Sequence, residues 1–94
     1  MQSYVLGHLR DEVLRRDLVA STVRVHEAMA THLAYIAEFD ARRLYAPAGY
    51  SCMHAFCVRE LRLTGDSASK RIQAARAARR FPVLFPALAE GRLS

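Results

Sequence analysis

An all-α fold is what this sequence predicts, and three observations carry the prediction. Residues 3–45 contain no proline and one glycine, Gly7, while apolar residues recur at three- and four-residue steps. From Asp66 to Phe81 the chain is alanine-rich, with no glycine or proline until Pro82. The few remaining glycines and prolines gather at what read as joints between helices. The expected architecture is a long N-terminal helix, or a helical hairpin, followed by a compact three-helix segment with a helix-turn-helix-like pair.

The first segment, residues 1–45, opens with Leu6, Leu9, Val13, Ala20 and Val23 in helical period. His26, Met29, Leu33, Ile36 and Asp40 continue that period on a shifted face. The cluster of Ser21, Thr22, Val23 and Val25 lowers helix propensity, so residues 17–22 are a candidate break. An unbroken helix of this length cannot bury its whole face on so small a domain. Part of it is then expected to meet a second copy, as a homodimer, or a further piece of chain. A hairpin folding back at the break is the alternative.

The second segment, residues 46–94, begins at Ala46-Pro47-Ala48-Gly49-Tyr50, where proline stops a helix and glycine permits a positive φ. Ser51 is expected to cap a helix over residues 52–61, with Met53, Phe56, Cys57 and Leu61 on its apolar face. After the short turn Arg62-Leu63-Thr64-Gly65, Thr64 supplies an N-cap oxygen and Asp66 a negative charge for the positive end of the next helix. At about 100° per residue, Ala68, Ile72 and Ala75 fall on one apolar stripe, and Ser69, Lys70, Gln73, Arg76 and Arg80 gather on a neighbouring arc. Pro82 opens a last helix, with Pro86 placing the alternative start nearer Phe85, and Gly91 stops it. Ser94 is a further N-cap with no helix after it, from which the chain is expected to be a fragment of a longer one.

Charge singles out the third helix. The chain carries a net charge of +5. Residues 59–80 hold seven basic side chains (Arg59, Arg62, Lys70, Arg71, Arg76, Arg79, Arg80) against Glu60 and Asp66, which accounts for all of that surplus. A basic, alanine-rich helix can be a plain solvated surface helix, yet the concentration of the whole imbalance in one segment favours an anionic partner. The expected partner is double-stranded DNA. Lys70, Arg71, Arg76, Arg79 and Arg80 would neutralise phosphates, Arg59 and Arg62 would hold the backbone from the preceding helix, and Gln73 and Ser69 would reach base edges.

Other chemistries find little support. His26 and His32 stand six apart, out of register for a helical metal pair, and Cys52 and Cys57 point about 140° apart on a helix, so both thiols are expected to be buried and no metal or cofactor is expected. Glu27, Glu38, Asp40, Glu60, His26, His32 and His54 do not converge with a nucleophile, and no glycine-rich phosphate loop is present. Catalysis by this chain alone and a small-molecule substrate are therefore not expected. With two cysteines, acidic residues already at Asp11 and Glu12, and no apolar run near the roughly 18 residues of a span, the expectation is a soluble cytoplasmic protein away from membranes.

Residues 40–45 (DARRLY), 49–50 (GY), 61–64 (LRLT), 70–82 (KRIQAARAARRFP) and 87–94 (ALAEGRLS) together resemble the helical region that precedes the nuclease domain in bacterial HNH endonuclease-like proteins. The resemblance covers about residues 33–94. It implies association with a nuclease whose catalytic HNH residues would lie beyond Ser94, and a module that positions that nuclease on DNA. It assigns no active-site residue to this chain.

Overall fold

The computed structural model describes residues 4–92, and among these four helices follow in order: α1 (Asp11–Ala41), α2 (Met53–Arg59), α3 (Gly65–Arg80) and α4 (Leu84–Ala89). The 31 residues of α1 form one unbroken helix. At 1.5 Å per residue it is about 46 Å long, which accounts for the 50 Å long dimension of the molecule.

The hairpin alternative is therefore excluded, and the reason is local. Ser21 Oγ donates to the Leu18 carbonyl at 2.7 Å, and Thr22 Oγ1 donates to the same oxygen at 3.1 Å. Both hydroxyls find their partner one turn back inside the helix, so they do not pull the backbone into a turn. The helix is also shorter than residues 3–45. It begins at Asp11, after a turn closed by Leu9 N–H to Leu6 C=O at 3.0 Å, and ends at Ala41. The stop at Ala41 comes from an arginine where glycine is usual. Arg43 takes φ 54°, its N–H reaches Asp40 C=O at 3.0 Å, and Leu44 N–H reaches Phe39 C=O at 3.2 Å. That paired pattern is a Schellman motif.

Residues 42–49 then run as turns, with Gly49 at φ 98°. The N-cap of α2 is Cys52 rather than Ser51: its backbone is extended and its sulfur accepts from Ala55 N–H at 3.4 Å. Cys52 is accordingly exposed, against the expectation that both thiols are buried, while Cys57 is fully buried. Helix α2 closes at Arg59, and Leu61 stays outside it and exposed. Thr64 caps α3 as the sequence predicts, its hydroxyl accepting from Ser67 N–H at 3.1 Å. Pro86 lies in the first turn of α4, which starts at Leu84 and not at Pro82. Gly91 ends it at φ 76°, with Gly91 N–H to Leu88 C=O at 3.0 Å and Arg92 N–H to Ala87 C=O at 2.9 Å, a second Schellman motif. Its α-carbon lies against the His26 ring, so a side chain there would collide with α1. The cap predicted at Ser94 lies outside the described residues.

One core joins the two segments. Leu33, Ile36 and Ala37 of α1 meet Met53 and Cys57 of α2 and Ala68, Ile72 and Ala75 of α3. Ala68, Ala75 and Ala78 have no exposed surface, because alanine lets α3 approach its neighbours closely. Phe39 stacks on Phe56 with centroids 4.5 Å apart, and Tyr50 meets Phe56 edge-on at 5.4 Å. Helix α4 packs on α1 through Phe85 and Leu88 at the margin of this cluster. The buried positions of α1 all lie between Ala30 and Ala37. Its first half extends past the body of the fold.

Candidate functional site

The nine residues expected to contact DNA, seven of them basic, do not form one continuous face. Ser69, Lys70, Gln73 and Arg80 share the outward arc of α3 and are exposed, as are Arg59 at the end of α2 and Arg62 in the following turn, where φ is 60°. Arg71 is half-buried on one flank of the helix. Arg76 and Arg79 lie on the opposite flank and turn toward the C-terminal end of α1. Arg76 holds Asp40 bidentately, Nε to Oδ2 at 2.8 Å and Nη2 to Oδ1 at 3.1 Å. Arg79 Nη1 donates to Glu38 Oε1 at 3.0 Å, and Arg42 Nε donates to the other Glu38 oxygen at 2.6 Å.

These contacts change the electrostatics of the segment. The Asp40 carboxylate, only 14% exposed, makes Arg76 still harder to deprotonate. Arg42 first and Arg79 second hold the Glu38 carboxyl below the usual carboxylate range. Lys70 pairs along its own helix with Asp66 at 3.1 Å, a fully solvated contact worth little. Arg80 lies over the Phe81 ring, 5.6 Å from its centroid. Arg59, Arg62, Arg71 and Arg80 make no ion pair among the described residues. The cations left facing outward are thus Arg59, Arg62, Lys70 and Arg80, fewer than the seven the sequence supplies. No pattern local to α3 could have found the carboxylates that hold Arg76 and Arg79, since Asp40 and Glu38 lie 36 and 41 residues upstream.

Glu60, His54 and His32 stand in separate surroundings. Glu60 accepts from the Tyr50 hydroxyl at 2.9 Å, which raises the Tyr50 pKa. His54 Nε2 lies 3.1 Å from the Gly65 carbonyl oxygen. His32 has a buried Nε2 with no hydrogen-bond partner among the described residues, and burial first, then the nearby Arg71 charge, lowers its pKa. Among the described residues no group of three or more histidine, cysteine or acidic side chains could hold a metal. No helix there is long and apolar enough to cross a membrane.

A second surface is more continuous than the basic one. Along the free half of α1, Leu14, Leu18 and Val25 are 43%, 63% and 59% exposed, while Val19 and Val23, also exposed, point to other sides of the helix. Leu14, Leu18 and Val25 follow steps of four and seven, and they extend the row of α1 that is buried at Ile36. Sequence periodicity marks this row as apolar; that no other described residue covers it is visible only in the fold. The stripe runs into a groove between α1, α3 and α4, floored by Val25, Met29, Leu33 and Leu88, with Lys70 and Arg71 as its charged members. Compared with protein-family models, with curated proteins and with solved structures, the chain finds no match.

Proposed function

We propose that the chain is a non-catalytic helical docking module whose working surface is the open apolar face of α1. The observation that carries this reading is the exposure of Leu14, Leu18 and Val25 on a helix whose same row is buried at Ile36. A row of large aliphatic side chains in water is unfavourable by about 25 cal/mol per Å², and another helix laid along it removes that cost. The resemblance to the helical region of HNH endonuclease-like proteins suggests the setting: a scaffold that holds a nuclease domain in place. At concentrations where the protein is monomeric, a dye that brightens on apolar surfaces should bind wild type. It should not bind a Leu14→Ser, Leu18→Ser, Val25→Ser variant that keeps the same far-UV circular dichroism. Equal dye signals from the two would refute the assignment of this face.

A second reading keeps duplex DNA as the partner, favoured by the surplus of five positive charges within residues 59–80. The ion pairs of Arg76 and Arg79 leave Arg59, Arg62, Lys70 and Arg80 as the leading phosphate contacts, with Arg71, Gln73 and Ser69 beside them. Four such contacts correspond to a slope of about −3.6 in log K against log salt. A Lys70→Glu, Arg80→Glu variant should lose most of that binding. Unchanged affinity in the variant would eliminate this surface.

A further inference from the structure

The geometry points to a second copy of this chain as the occupant of the open face, its α1 antiparallel to the first; this deepens, and rests on, the docking reading. Residues 14, 18, 21, 25 and 28 form a coiled-coil seam at alternating steps of four and three, Leu14, Leu18, Ser21, Val25 and Ala28. Laid antiparallel so that Leu18 of one copy faces Ser21 of the other, the seam closes on itself, with Leu14 against Val25 at both ends. The small Ser21 lets the two helices approach closely at the centre.

Charge selects this direction. Asp17 and Arg24 stand seven residues apart on the same edge of the seam, too far for a pair within one helix. In the antiparallel register, Asp17 of each copy faces Arg24 of the other, giving two complementary pairs. A parallel register instead puts Arg10 opposite Arg15 and leaves Asp17 against Thr22. At each end of the seam, Asp11 of one copy falls opposite Ala28 of the other, next to the groove that holds Lys70 and Arg71. The acidic first turn of each α1 thus approaches the basic edge of its neighbour. The exposed contact of Lys70 with Asp66 can exchange for this one at little cost.

Sedimentation equilibrium across micromolar to millimolar protein, at low and high salt, tests the arrangement. Wild type is expected to dimerise, more tightly at low salt. Asp17→Arg alone and Arg24→Asp alone each place two like-charged pairs across the seam, which should weaken the dimer by about tenfold or more. Mixing the two variants should restore association, because the heterodimer has both pairs opposite again. Leu18→Glu should leave a folded monomer, with circular dichroism as the control. A wild type that stays monomeric throughout, or variants whose mixture associates no better than either alone, overturns the antiparallel dimer. The docking reading then stands if the apolar dye still distinguishes wild type from the triple serine variant, and falls with the dimer if it does not.

Discussion

Breaking the Asp40–Arg76 pair tests both the fold and the reading of its charge. The contact is bidentate, 2.8 and 3.1 Å, with Asp40 14% and Arg76 60% exposed on their side chains. It therefore lies between a solvated pair, worth up to about 1 kcal/mol, and a buried one, whose rupture costs about 3–5 kcal/mol; the open side of Arg76 places it near 1.5 kcal/mol. Asp40 is also the next-to-last residue of α1, where a negative charge opposes the helix dipole, so removing it returns about 0.4 kcal/mol. Asp40→Ala should then cost about 1 kcal/mol net, a fall of about 4–8 °C in Tm for a domain of this size. A cycle of Asp40→Ala, Arg76→Ala and the double variant, followed by thermal and urea unfolding, isolates the pair because the dipole contribution cancels. The coupling should be about 1.5 kcal/mol; a value below about 0.5 kcal/mol would mean the two side chains act independently. The same variant bears on nucleic acid. Asp40→Ala releases the Arg76 guanidinium, so any duplex affinity at low salt should rise, and a fall would show that the ion pair itself builds the contacting surface.

Further outcomes follow from Thr64, His32 and the two cysteines. Thr64→Ala removes the only side-chain cap of α3 and should cost about 1 kcal/mol by urea unfolding, with Thr64→Ser restoring most of it. His32 is held below its ordinary value of 6.5 by burial and by Arg71. The unfolded chain therefore binds the proton more readily than the folded one, so stability present above about pH 6.5 should decline as pH falls through the folded value, and His32→Leu should flatten that decline. Because the buried Nε2 lacks a partner, the same substitution should also stabilise the protein at pH 8, by about 1 kcal/mol. A thiol reagent added to native protein should modify exposed Cys52 promptly. Cys57, fully buried and with its thiol pKa raised chiefly by that burial, should react only as the protein unfolds; two equally fast thiols would contradict the packing.

Much of the helical framework was legible in the residues themselves, because caps and periodicity act within a few positions. Thr64 stops the backbone before α3, Gly91 ends α4, and Ala68, Ile72 and Ala75 mark the buried stripe wherever the rest of the chain lies. Where local signals were ambiguous, the prediction shifted. The weak propensity of residues 21–25 suggested a break, yet back-bonded hydroxyls keep α1 whole, and a cysteine sulfur took the cap assigned to Ser51. What only the tertiary structure decided is which side chains remain available. Arg76 and Arg79 share the composition and helical setting of Arg80, but carboxylates 36 and 41 residues away hold the first two. Likewise one apolar row of α1 is core at Ile36 and open at Leu18, since α2, α3 and α4 dock on only one half of the helix. Helix formation answers to neighbours along the chain, whereas exposure and charge pairing answer to neighbours in space.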